Sequence, residues 1–292
     1  MVNSMTEMIG TPISLEHKPT LSPMLKSVNI PVSEYSFQNL YLFRGNHDYH
    51  VFEKDGFTFL QGTTYDGKTH IMPAADMRDV PVETLRELQK NCDFFFPVFE
   101  DWAEYFKQYG VNLTYQDGDT DYIYTSVKMS TYAGRKLHKK RNLLKQFTQL
   151  YSATAFLITN DNIADAFYIL DEWQSQADLP SDQTDYNACH EALTLYKELG
   201  ICGGIYYADK KPAAFILGEE LTENTYVMHF AKGLTTYKGI YQFIYNDFAS
   251  ILPKRYEFIN FEQDLGSVAL RVAKTSYVPD MLVKKYRMTF TR

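Results

Sequence analysis

One order of elements runs twice along the 292 residues, and it limits the fold more than any other feature of the sequence. Helical spacing over 33–43 leads into three short strand patterns at 49–53, 57–61 and 69–72, with Asp55-Gly56 and Asp66-Gly67 as turn signals between them. A helix over 82–91, a strand over 94–99, a helix over 100–109 closed by Gly110, and strands at 111–115 and 122–124 complete the first pass. The second pass begins with helices at 162–176 and 186–199, the latter closed by Gly200. A meander of 203–208, 213–219 and 225–231 follows, joined at Asp209-Lys210-Lys211-Pro212 and Thr222-Glu223-Asn224. Then come a helix over 239–252 with Ile240, Phe243, Ile244 and Phe248 on one side, a strand at 256–260, a helix at 265–274 and a last strand at 281–286. The two halves share this order without visible likeness of residues. The expectation is an α/β chain of two domains, 21–130 and 131–292, each a mixed, mostly antiparallel sheet flanked by helices. Residues 1–20 read as a mobile leader.

The joint between the halves is chemically unlike either. Residues 131–160 carry six Lys or Arg and no Asp or Glu, within a chain whose net charge is -7. Taken as a helix over 134–150, this stretch gathers Leu137, Leu143, Leu144, Phe147 and Leu150 into one arc. Arg135, His138, Lys139, Arg141, Asn142 and Lys145 fall outside that arc, whereas Lys136 and Lys140 fall inside it, one turn apart. Inward lysines must either snorkel past the leucines or point into a polar cleft. Cations in the first turns also oppose the helix dipole by several tenths of a kcal/mol each. The pattern therefore points to a phosphate-rich partner, against the plainer reading of a solvated face neutralised by the acidic halves.

Composition excludes other classes. No apolar run approaches the roughly 18–20 residues of a spanning helix, and the amino terminus lacks a signal-peptide pattern. Cys92, Cys189 and Cys202 are odd in number and not in metal spacing, which favours a reduced, cytoplasmic setting. A pI near 5.5 argues against general nucleic-acid binding but leaves a local stripe able to act. His47-Asp48-Tyr49-His50 has no clear third ligand and reads as a loop, so no metal is expected.

The second-half order resembles the GNAT acyltransferase fold, in which a helix following the meander receives a pyrophosphate on its free amides. Amides at a helix start suit phosphate for general reasons, and here that segment is Gly233-Leu234-Thr235-Thr236-Tyr237-Lys238-Gly239-Ile240-Tyr241. A closer resemblance covers the chain from about residue 20. Gly134 to Asn142, Tyr237-Lys238-Gly239-Ile240-Tyr241-Gln242, Asn260-Phe261-Glu262-Gln263-Asp264-Leu265-Gly266 and Lys274-Thr275-Ser276-Tyr277-Val278-Pro279 together resemble the bacterial family that shares the carboxy-terminal domain of phosphatidylglycerol lysyltransferase. The resemblance implies a tandem GNAT-like fold related to the Fem-type aminoacyl transferases, which use charged tRNA.

Glu262-Gln263-Asp264 lies at a strand's carboxyl end, where open α/β sheets place ligands, although Asp264 could simply cap the next helix. Tyr277 follows that helix, where GNAT enzymes often hold a tyrosine acid. The expected catalytic set is Glu262, Asp264 and Tyr277, with a carboxylate deprotonating the acceptor and the phenol protonating the leaving group. The expected substrate- and phosphate-binding set is Lys136, His138, Lys139, Lys140, Arg141, Asn142, Lys238, Gly239, Tyr241, Asn260 and Gln263. No tightly bound cofactor is expected, and the donor would be aminoacyl-tRNA or a coenzyme A thioester. The leading expectation is acyl or aminoacyl transfer to an amine or hydroxyl. A non-catalytic tRNA or polyanion binder, and a purely structural clamp on the basic helix, are the alternatives.

Overall fold

The computed structural model describes residues 8–291. Among these residues, fourteen strands form two seven-stranded sheets. In chain order they are β1 (Thr11–Pro12), β2 (His50–Lys54), β3 (Phe57–Thr63), β4 (Thr69–Pro73), β5 (Phe94–Val98), β6 (Val111–Tyr115) and β7 (Asp121–Thr125). Then follow β8 (Ala153–Leu157), β9 (Cys202–Ala208), β10 (Lys211–Thr222), β11 (Thr225–Gly233), β12 (Phe258–Asn260), β13 (Met281–Val283) and β14 (Tyr286–Phe290). The helices that bear on function are α1 (Lys18–Val28), α2 (His138–Leu150), α3 (Ile163–Ser175), α4 (Ile240–Ile251) and α5 (Val268–Thr275).

The chain separates into two compact units. The first comprises the described residues up to Asp121, Gln263–Arg271 and those from Leu282 on; the second comprises Tyr122–Glu262 and Val272–Met281. The expected division at 130/131 into contiguous domains therefore needs correction. The last strand of the chain runs antiparallel to both β5 and β6, in the sheet order β1-β2-β3-β4-β5-β14-β6. The expected single strand at 281–286 is two strands, β13 and β14, in different sheets. The leader is also corrected within the described residues. Thr11 and Pro12 pair with Val51 and His50, and α1 buries Leu21 and Leu25. Residues 1–7 lie outside the described part.

Local chemistry accounts for the turns. Asp55 and Gly56 both take positive φ (51° and 82°), the mirror-image hairpin turn that matches strand twist. Asp209 and Lys210 do the same between β9 and β10 (50° and 65°). In the second sheet, of order β13-β7-β12-β11-β10-β9-β8, β11 runs parallel to β12 only over Thr225–Val227 against Phe258–Asn260. β12 ends there, while β11 continues alongside β10 to Gly233. The two central strands thus part, and the split positions the polar groups described next. No helix among the described residues is long and apolar enough to cross a membrane.

Candidate functional site

The basic stretch is a 3-10 turn, Arg135–Leu137, running into α2. One expectation is corrected there: Lys136 lies in the 3-10 turn at the open end of the helix and is exposed. Leu150, also assigned to the arc, is 58% exposed; Leu137 and Phe147 are buried, and Leu143 and Leu144 are half-buried. Lys140 does turn inward. Its Nζ donates to Ser276 Oγ at 2.7 Å and lies 3.7 Å from the centre of the Tyr277 ring. Burial lowers its pKa to about 8. Arg141, expected outside the arc as an exposed charge, instead donates to the carbonyls of Tyr132 and Gly134, the latter at 2.7 Å, and staples the loop before the helix. His138 Nδ1 lies 3.0 Å from Arg135 O; Lys139 and Asn142 are exposed.

The start of α4 lies against α2. Gly239 takes φ 86°, and a Cβ there would stand 2.4 Å from Leu143 O and 3.2 Å from Phe147 Cβ, so the glycine is required by helix packing. Lys238, just before it, is exposed, and no side chain caps the helix. Tyr241 is half-buried and its hydroxyl accepts from Gly233 N at 3.2 Å, holding the end of β11. Tyr277 follows α5, is buried, and its hydroxyl accepts from Gln242 Nε2 at 2.9 Å. Burial pushes its phenol pKa well up, so it stays protonated at neutral pH.

Glu262 sits just past β12 with φ 60°, its N–H donating to Asn260 Oδ1 at 2.6 Å. Its carboxylate faces a residue that sequence reasoning missed. His229 Nδ1 donates to Glu262 Oε1 at 2.8 Å, and His229 Nε2 donates to Glu219 Oε1 at 3.0 Å. Burial opposes charge on this ring, but the two carboxylates outweigh it and raise its pKa to about 10. His229 is therefore an imidazolium in the split between β11 and β12. It reaches Glu219 through a bulge: Leu217 pairs Phe230 and Gly218 pairs Met228, which leaves His229 over. A bulge leaves no periodic trace, so no sequence signal joined these residues. Glu262 turns to His229, whereas Tyr277 turns to Gln242 and Lys140.

Asp264 and Gln263 belong to the first unit. Asp264 is buried and engages Arg271 through two contacts, 2.8 and 3.1 Å, while Gly266 N donates to it at 2.9 Å. Its carboxylate holds a turn and an ion pair, a geometry unlike that of an accessible base. Gln263 Oε1 accepts from Lys285 Nζ and from Ser33 Oγ. Lys285, fully buried, also donates to both Glu34 oxygens at 2.8 Å and to Asp121 at 2.7 Å. Burial is the main reason the Glu34 pKa is raised to about 7; Asp121 adds to the rise and Lys285 opposes it. Beside this cluster is a cavity of about 10 Å³, room for about one water, lined by Glu34, His47, Tyr49, His70, Asp119 and Gln263 among others. Both ring nitrogens of His70 are buried there without a partner, and burial lowers its pKa to about 3.

Each unit is a mixed sheet flanked by helices, and the chain has a tandem GNAT-like fold. The chain belongs to the family described as phosphatidylglycerol lysyltransferase, C-terminal, which matches residues 26–289. A conserved protein of unknown function from Bacteroides thetaiotaomicron superposes with a TM-score of 0.83 at 26% identity, over 98% of this chain and 100% of that one. L-PGS from Bacillus licheniformis superposes with a TM-score of 0.64 at 16% identity, over 97% and 94%. An uncharacterized protein, MYCGA3080, of Mycoplasmoides gallisepticum is 24% identical over 194 residues, 64% of this chain and 60% of its own length.

Proposed function

We propose that the protein is a transferase of activated acyl or aminoacyl groups, with aminoacyl-tRNA or a coenzyme A thioester as donor and an amine or hydroxyl as acceptor. One observation carries this reading. Arg135, Lys136, Lys139, Lys140, Arg141, Lys145 and Lys238 have no carboxylate within ion-pairing distance among the described residues, although the chain is net acidic. Cations left unneutralised by their own protein favour an external polyanion. Lys136, Lys139 and Lys238 would hold donor phosphates beside the uncapped start of α4, and Tyr277, kept protonated by burial, would supply a proton to the leaving group. Positioning and charge stabilisation can carry acyl transfer without a covalent nucleophile. A reduced, cytoplasmic setting accords with such donors.

The same face would serve a binder without chemistry. That second reading is favoured by the internal engagement of Glu262 with His229 and of Asp264 with Arg271. Incubation with charged tRNA and with acyl thioesters, in the presence of mixed amines and hydroxyl acceptors, separates the two. Loss of the acyl bond above the uncatalysed rate, reduced by Tyr277→Phe, is the expected result. Salt-sensitive binding with no turnover of any donor would replace the transferase with the binder. Neither turnover nor binding would leave the basic face without a role.

A further inference from the structure

The charged groups of the second unit divide into two kinds. Lys232 pairs with Asp185 at 2.5 Å, Lys128 with Asp280 at 2.7 Å, and Arg255 with Glu220. The exposed lysines of the basic stretch are bathed in solvent. Lys140 belongs to neither kind. Its amine is half-buried against an aromatic ring, bonded only to a neutral hydroxyl in the described contacts, and near no carboxylate. The titratable group it touches is the phenol of Tyr277; Lys136 and Lys139 stand on its own stretch, and Lys274 on α5 precedes Ser276 by two residues. The ring face favours the ammonium, but desolvation opposes it. Such surroundings convert a lysine into a nucleophile.

From this geometry we infer that Lys140 is a self-acylation site for activated acyl donors, namely acyl phosphates and thioesters. The neutral Nζ attacks the carbonyl carbon, a C–N bond forms and the C–O or C–S bond breaks. The leaving phosphate or thiolate takes the electron pair, and the proton shed by nitrogen passes to it. Ser276 holds the amine in place, since its own hydroxyl donates to Ala273 O at 2.5 Å and leaves a lone pair for Lys140. The product is an amide resting on Tyr277. It removes one positive charge from the basic face, so an excess of activated donor would weaken that face's hold on phosphate. This site does not require the transferase reading, because the donor can be supplied chemically.

The test is acetylation of the whole protein by acetyl phosphate, followed by peptide mass spectrometry over time at pH 7.0 and pH 9.5. At pH 7.0 Lys140 is expected to acetylate at least about tenfold faster than the exposed Lys139, because far more of its amine is neutral. At pH 9.5 that ratio is expected to be smaller by more than about tenfold, as ordinary lysines also lose protons. Lys140→Arg should abolish the label on that peptide alone. Equal rates at pH 7.0, or a ratio that does not change with pH, would overturn the inference.

Discussion

His70 and His229 are the same residue under nearly the same burial, 1% and 6% exposed, and they hold opposite charge states. His70, in the first unit, has no hydrogen-bond partner on either nitrogen and is held neutral, its pKa near 3. His229, in the second, lies between two carboxylates and is held charged, its pKa near 10. Burial by itself disfavours charge in both; the carboxylates reverse the outcome in one. Each unit spends its polar interior differently. In the first, Lys285 supplies the cation for Glu34 and Asp121, and the histidine is left beside a small cavity. In the second, the histidine itself is the cation that joins two strands where the sheet splits.

The largest expected effect separates the two rings directly. His229→Leu removes the imidazolium that the carboxylates of Glu219 and Glu262 both face and should destabilise its unit by about 3–5 kcal/mol. His70→Leu removes an unsatisfied polar group and should change stability by less than about 1 kcal/mol, in either direction. Trp102 and Trp173, the chain's two tryptophans, lie one in each unit, so single Trp→Phe backgrounds let urea unfolding be read unit by unit. Equal losses would erase the contrast.

Next in size is the response to pH. The folded pKa of His229 lies above its ordinary 6.5, so its contribution is fully present below 6.5 and is lost as pH rises through about 10. The folded pKa of His70 lies below 6.5, so its cost grows as pH falls from 6.5 towards about 3, where the unfolded chain takes up a proton that the folded one refuses. Each slope is at most about 1.4 kcal/mol per pH unit. His229→Leu should flatten the alkaline limb and His70→Leu the acid limb. Unchanged limbs in both variants would refute the assigned charge states.

Glu262→Gln tests how the charge is shared. It keeps the side chain's size, leaves Glu219 in place, and should cost about 1–3 kcal/mol, a charged hydrogen bond's worth. Proton NMR should find the His229 pKa lower than in the parent; a value unmoved would assign the charge to Glu219 alone. The smallest effect belongs to a cation with no ion-pair partner among the described residues. Lys139→Gln should leave stability within about 0.5 kcal/mol, while lowering the salt slope of tRNA binding by about 0.7–0.9. An unchanged slope would remove Lys139 from any polyanion contact.

What the sequence disclosed follows from the range of each signal. Asp55-Gly56 and Asp209-Lys210 announced hairpins because a turn is written in adjacent residues. Strand alternation and the apolar side of α4 were equally local, and most of the order of elements came through, although β1, α1 and β8 were not foreseen and the last strand is two. The family motifs drew attention to Glu262 and Tyr277, but not to the contacts that define them. His229 meets Glu219 through a bulge ten residues distant in sequence, and Lys285 meets Glu34 across most of the chain. Lys136 was misdirected because a wheel shows which side a residue takes, not whether anything packs against the open end of the helix where it sits. Arg141 was misjudged because its partners are carbonyls of a loop whose path no pattern encodes.

The insertion of β14 between β5 and β6 has a consequence for how the chain is made. Among the described residues, β6 has no neighbour in the sheet except β14. A ribosome delivers about 165 residues between Asp121 and Tyr286, which at about 5–20 residues per second occupies about 8–30 s. Through that interval the first unit carries two unpaired strand edges while the second unit is synthesised whole. The half that begins first must finish last, and a nascent chain stalled near residue 285 would hold every strand of the second sheet while the first still lacked β14.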